Sequence, residues 1–204
     1  MGCDVDSDGM VPLCQRLWSA EAPDFSSEND EILRGIDAVA AHVGRRGIFV
    51  YDRGGDRINL FGPLLDRGLR FLVRLVGNRN LLCKGQTLLA EEVARTCPML
   101  HSKAIVRIEN GEEKLQTLHF GSRKVYLPGR PEPLHLLVIR GLGEEPLMLL
   151  SNEPLTRSSK CLWWMVRAYL KRWAIEETIR YTKTCYDLEN VRVLNYQGLQ
   201  NLMP

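Results

Sequence analysis

The longest uninterrupted pattern in the chain runs from Lys160 to Lys183, KCLWWMVRAYLKRWAIEETIRYTK, with no proline or glycine. Its leucine, alanine, methionine, arginine, lysine and glutamate content predicts one long helix. A second pattern is shorter: Ile48, Phe49, Val50 and Tyr51 are four apolar residues in a row, followed by Asp52, Arg53 and two glycines. This predicts a buried strand that delivers a carboxylate to the carboxyl edge of a sheet, where open α/β sheets bind their ligands.

The remaining elements follow from similar patterns. Residues 1–18 read as a β-hairpin turning at Asp8-Gly9, with Cys3 and Val5 before the turn and Val11, Leu13 and Leu17 after it. Beyond Pro23, Ser26 or Ser27 caps a helix whose first turn is acidic (Glu28, Asp30, Glu31), whose buried stripe is Ile32, Ile36, Val39 and Val43, and whose end is Gly44. A helix over 57–67 closes at Gly68. Leu69 to Val76 forms a strand with Phe71, Val73 and Leu75 on one face and Arg70 and Arg74 on the other. A short helix is expected near Thr87 to Arg95.

Between Pro98 and Pro154 the pattern changes to short β runs broken by turns: Ala104–Ile108, Asn110-Gly111, Leu115–Phe120, Lys124–Leu127, Pro128-Gly129, Leu134–Ile139 and Leu147–Leu150. We expect an α/β protein in three parts, residues 1–97, an inserted antiparallel β unit over 98–155, and 156–204 with the long helix. Past Lys183 the chain passes Tyr186 and Leu188 into a second helix from about Asn195.

At 204 residues and 45% hydrophobic content the chain can bury one sizeable core. Its longest apolar runs fall far short of the ~20 residues that cross a bilayer, and the first ten residues, with Asp4, Asp6 and Asp8 and no base, lack the pattern of a signal peptide. The six cysteines show no C-x-x-C and no metal-ligand spacing with the four histidines, and suit a reducing cytoplasm as small buried apolar groups. Net charge is only +2, but it is polarised. Residues 1–35 carry eight acids against two bases, while residues 157–192 carry eight bases against four acids. A basic surface for a phosphate backbone is compatible with that distribution, and so is an ordinary mixed surface.

Candidate chemistry lies on the long helix. At about 100° per residue, Tyr169, Arg172, Glu176 and Lys183 fall within one arc of roughly 60°. A phenol, a guanidinium, a carboxylate and an ammonium there suit a phosphate and a metal. Plain helix electrostatics also accounts for the stripe, because Arg172 with Glu176 and Glu176 with Arg180 are i,i+4 pairs. Asp52 has two readings as well, a site carboxylate or a turn cap for the helix that follows, a role Asp56 fills better. Asp56, Arg53 and Arg57 read as supporting groups. Arg74 and Arg79 either reach DNA or the site carboxylates, or make surface ion pairs. Arg123, Lys124, Arg130 and Arg140 give the β unit a DNA-tracking surface or a solubilising one.

The order Tyr169, two residues, Arg172, three residues, Glu176, six residues, Lys183 resembles the Y-R-E-K signature of a large group of insertion-sequence DDE transposases. Asp52-Arg53-Gly54-Gly55-Asp56 resembles that group's D-R-G-x-D segment, and the resemblance runs from about Asp4 to Leu202. It implies an RNase H-like core, with Asp52 and Glu176 as catalytic metal ligands for two Mg²⁺ ions that drive phosphodiester cleavage and strand transfer. It also implies that Tyr169, Arg172 and Lys183 contact double-stranded DNA, both transposon ends and target, and Arg74 and Arg180 are further candidates for that contact. A homodimer in the intact protein, a cytoplasmic, nucleoid-associated location and no membrane attachment complete the expectation.

The chain departs from that group's pattern in two places. The group carries a first Asp on the opening strand of its sheet, and only 51 residues precede Asp52 here. Asp4, Asp6 and Asp8 belong to the hairpin, so the chain reads as an N-terminally truncated core, marginally stable and inactive alone, with two sheet edges left open. Where the group often stacks a flipped base on a Trp before the long helix, this chain has Leu147 and Met148. Two rival readings stay open: a remnant that only binds DNA or a full-length subunit, and an unrelated phosphate-handling enzyme with Asp52 as nucleophile.

Overall fold

The computed structural model describes residues 1–7, 9–14, 16, 18–109, 112–155, 158–185, 197–198 and 201. The chain mixes helices and strands and divides into two compact units, residues 1–46 with 170–204, and residues 47–169. The second helix expected from Asn195, and the expectations for Tyr186 and Leu188, lie outside the described residues, as do Asp8, Leu17 and the Asn110-Gly111 turn.

In the first unit, β1 (Gly2–Cys3) and β2 (Met10–Val11) pair antiparallel, Gly2 with Val11 and Cys3 with Met10. The hairpin is shorter than its apolar pattern suggests. The Asp4 carboxylate accepts the Asp6 amide at 3.0 Å, an Asx turn that peels the chain off the ladder before Val5.

α1 (Glu28–Val43) starts where Ser27 accepts the Asp30 amide at 3.1 Å. It ends at Gly44, whose φ of 58° is open to glycine at no steric cost. Ile36 is fully buried, and Ile32, Val39 and Val43 are half-buried. Glu31 on the same helix is also buried, held by Arg16 at 2.6 Å and Arg34 at 2.7 Å, since a buried carboxylate persists only when paired.

The long helix is not continuous. α4 (Ser159–Lys171) and α5 (Trp173–Cys185) are separated by a turn at Arg172, where the Ile175 amide bonds the Arg172 carbonyl three residues back at 3.0 Å. Nothing in the local sequence marks the break. It lies close to the boundary between units, which falls between Tyr169 and Leu170, and helix propensity yields readily to tertiary context.

The second unit is built on a six-stranded mixed sheet. Its strands are β3 (Ile48–Tyr51), β4 (Arg70–Arg74), β7 (His101–Glu109), β8 (Glu112–Val125), β9 (Leu134–Arg140) and β10 (Leu147–Ser151), in the order β3-β4-β10-β9-β8-β7. β3 runs parallel to β4, and every other pairing is antiparallel. Phe71, Leu72 and Val73 are all fully buried, so β4 is covered on both faces and the expected one-sided alternation does not hold. α2 (Ile58–Asp66) covers one of them, with Phe61 against Phe71 at 5.7 Å. β3 is an edge strand whose four residues are only half-buried, whereas its unbroken apolar run suggested a central one.

Two further expectations change. The run from Thr87 does not open a helix. β5 (Asn80–Cys83) and β6 (Gln86–Leu89) form a hairpin, and α3 spans only Ala90–Arg95. The turn residues Lys84 and Gly85 have φ of 52° and 81°, and a lysine in the left-handed region gives no sequence warning.

The β runs of 98–154 do not make a separate inserted unit. β10 pairs with β4, Leu149 opposite Arg74 and Ser151 opposite Leu72, so these strands extend the sheet that carries Asp52. Arg70 and Glu153 clamp that junction through two parallel bonds of 2.5 and 2.8 Å. Among the described residues no helix is long and apolar enough to cross a membrane. Cys83 and Cys97 are buried as expected, Cys161 is half-buried, and Cys3, Cys14 and Cys185 are exposed.

Gly121 on β8 faces a crowded wall, because a Cβ there would run into the carbonyl of Pro98. Gly121→Ala is therefore expected to destabilise the protein by about 3 kcal/mol, read as a lower urea midpoint at unchanged m-value. An unchanged midpoint would show that the backbone at Pro98 does not approach so closely.

Candidate active-site edge

The carboxyl edge of β3 and β4 is shaped by the segment Asp52-Arg53-Gly54-Gly55-Asp56. Tyr51 makes the last register pair with Val73, so Asp52 and Arg74 both stand one residue beyond it, at the same edge. Asp52 is exposed, and its Oδ1 accepts the Gly54 amide at 2.9 Å, capping a 3₁₀ turn over Arg53–Gly55. The turn-cap reading of Asp52 thus describes one oxygen. For the other, no hydrogen bond to the described residues is seen.

Gly55 explains the second glycine of the segment. It is buried, and a Cβ there would meet the ring of Tyr51 at 3.0 Å and Val73 at 3.3 Å, with the Tyr51 Cβ closer still. Only a glycine lets the turn fold back onto the strand that precedes it. Burial in turn pushes the Tyr51 hydroxyl well above its usual pKa, leaving that phenol neutral beneath the turn.

Asp56 is committed elsewhere. Its Oδ2 accepts the Val76 amide at 2.8 Å, its Oδ1 accepts Arg79 Nε, and its backbone carbonyl accepts Arg79 Nη2 at 2.9 Å. The Asp56 side chain is only 2% exposed. Arg79 also lies over the Phe61 ring at 5.2 Å. Of the two acids in the segment, one is spent on structure and the other is presented to solvent. Arg79, read from sequence as a DNA or carboxylate contact or an ion pair, is the ion-pair partner of Asp56. Arg74 is half-buried.

The stripe on the long helix is divided by the break. Tyr169 lies on α4 in the second unit and is 0% exposed, within the core rather than on a surface that could grip phosphate. Arg172, Glu176, Arg180 and Lys183 belong to the first unit. There Arg172 Nη1 donates to Glu176 Oε1 at 2.7 Å, the i,i+4 pair anticipated from spacing, with Arg172 mostly covered and Glu176 half exposed. Arg180 and Lys183 are exposed. Arg172 is therefore brought to Glu176 and Asp52 to the level of Arg74, while Tyr169 is buried.

The bases of the β strands have partners within the chain, though Lys124 and Arg140 stay exposed. Arg123 donates to the Thr96 carbonyl and Arg140 to that of Ala94 at 3.4 Å. Arg130 pairs with Asp66 at 2.6 Å and Glu132 at 2.9 Å, and Lys124 lies over Tyr126 at 5.4 Å.

A pair of Mg²⁺ ions needs several carboxylate oxygens converging on one place. Among the described residues no three or more His, Cys, Asp or Glu side chains converge in that way. Within its own unit Asp52 has lost Asp56 to Arg79, and within the other unit Glu176 is held by Arg172. Among the described residues neither unit gathers the carboxylates of a magnesium site from its own side chains.

No protein-family model matches this chain, and no curated protein matches it.

Gly55→Ala is expected to cost about 2 kcal/mol and to strip protection from the Gly54 amide in hydrogen exchange, because the turn must lift off Tyr51. Gly62→Ala, in α2 with nothing within 4 Å of the added carbon, is expected to leave stability unchanged or raise it by up to about 1 kcal/mol. Equal effects of the two substitutions would contradict the packing assigned to Gly55.

Proposed function

We propose that this chain is catalytic-domain sequence of an insertion-sequence DDE transposase, acting on DNA phosphodiesters, and that these 204 residues bind duplex DNA without cutting it. The observation that carries the reading is the division of labour in Asp52-Arg53-Gly54-Gly55-Asp56: an exposed carboxylate at the carboxyl edge of a parallel strand pair, beside a second acid buried against an arginine. That is the placement a phosphodiester-cleaving α/β sheet gives to a metal-binding acid.

Two further observations support it. Among the described residues β3 pairs only with β4, and an RNase H-like core would place another strand along the opposite edge of β3. On α5, Arg180 and Lys183 are exposed cations one turn apart. Those cations would grip the DNA backbone and set register without reading sequence. Asp52 and Glu176 occupy the motif positions of that group's metal-ligating acids.

The test uses the purified 204-residue chain and a random-sequence 30-base-pair duplex. Binding in EDTA is expected to weaken steeply with salt. The Arg180→Glu, Lys183→Glu double variant is expected to flatten the slope of log K against log salt by about 2. Supercoiled DNA should remain intact in Mg²⁺. Failure to bind at low salt would overturn the DNA reading, and Mg²⁺-dependent nicking abolished by Asp52→Asn would overturn the inactivity of this chain.

A further inference from the structure

A cleft of about 430 Å³ lies wholly within the second unit, lined by the first turns of α4, the chain that leaves β10, and Arg70 of β4. That is the size of a small-molecule site. Buried Leu155 and Met165 and exposed Pro154 make its lining apolar, and half-buried Trp164 adds an indole. The two adjacent tryptophans separate here. Trp163 lies 5.8 Å from Phe120 of β8, while Trp164 lines the cleft.

The walls of the cleft are fixed by the fold. Ser151 Oγ donates to the Phe71 carbonyl at 2.7 Å and accepts the Glu153 amide at 3.1 Å. The Asn152 side chain accepts the Phe71 amide at 3.0 Å and donates to the Leu69 carbonyl at 2.8 Å. These bonds hold the chain that leaves β10 against β4. α4 is anchored by Leu162, Val166 and Tyr169, all buried. A preformed cleft spares a ligand the cost of ordering its walls.

The lining carries two bases, Arg70 and Lys160, against one acid, Glu153. Glu153 is taken by Arg70 through the bonds at 2.5 and 2.8 Å, which leaves the positive charge of exposed Lys160 at the rim. Lys160 and Trp164 stand four residues apart on α4, so ammonium and indole rise from neighbouring positions on one helix face. We propose that the cleft binds a small planar aromatic carboxylate, its ring on Trp164 above Leu155 and Met165 and its carboxylate on Lys160. One compact ammonium matches one negative charge, and the apolar lining favours a flat hydrocarbon ring. The site is independent of the transposase reading, since its residues lie outside the Asp52–Asp56 segment and outside α5.

Titration of the full chain with 2-naphthoate, followed by NMR of the tryptophan indole N–H signals, tests the site. The Trp164 signal, assigned by its loss in Trp164→Phe, should shift with a Kd of about 10⁻⁴ to 10⁻³ M, ordinary for so small a ligand. The neutral 2-naphthamide should bind about fivefold more weakly, for want of the charge-assisted bond. Lys160→Met, at an exposed position, should raise the naphthoate Kd about fivefold and leave the naphthamide Kd unchanged. Trp164→Ala should weaken both ligands about tenfold or more.

A Trp164 signal that stays in place up to about 5 mM naphthoate overturns the proposal. Equal affinity for the acid and the amide, or a naphthoate Kd indifferent to Lys160→Met, overturns the assignment of an anion. Undiminished binding to Trp164→Ala places the ligand elsewhere and overturns the site.

Discussion

The carboxyl edge of this sheet depends on one buried ion pair, Asp56 with Arg79. The segments that follow β3 and β4 are joined by the Asp56 carboxylate, which takes the Val76 amide with one oxygen and the Arg79 guanidinium with the other. A carboxylate so nearly covered persists only when each oxygen is satisfied. The pair in turn fixes the end of the Arg53–Gly55 turn, and the other end of that turn is the Asp52 cap. An exposed acid is held in place by a buried one four residues away.

That arrangement also explains the composition of the segment. Gly55 is required by the close return of the turn over Tyr51, Asp56 by the need to close β3 onto β4, and Phe61 from α2 supplies a ring beneath Arg79. Asp52 alone has an oxygen to which the fold assigns no bond among the described residues. A residue that costs solvation nothing, ends a parallel strand and is fixed by a glycine turn is where chemistry has room to act. The transposase proposal rests on that residue and on the exposed cations of α5, and the two lie in separate units.

Much of the fold was legible in local patterns. The Ser27 cap, the Gly44 stop, the helix closed by Gly68 and the four principal β runs follow from short-range chemistry that tertiary contacts do not disturb. What was hidden required longer-range information. The Lys84-Gly85 turn uses a lysine in a conformation that its type rarely adopts, so a hairpin looked like the start of a helix. The break at Arg172 has no glycine or proline to announce it. That β10 would dock on β4 could not be read from alternation, because an apolar strand buried on both faces shows no period.

The site was legible in part for the same reason. Asp52 and Asp56 stand in one motif, but sequence spacing does not separate the exposed acid from the buried one. Arg79 gives the decision, and it sits 23 residues further on. Tyr169 misled in the opposite sense, since a helical stripe drawn at constant angle carries no record of depth. A double-mutant cycle on Asp56→Ala and Arg79→Ala, followed by urea unfolding, tests the organising pair most directly. A coupling of about 3 kcal/mol is expected, with the double variant less damaged than the sum of the singles. Strict additivity of the two substitutions would contradict the claim that this ion pair holds the edge together.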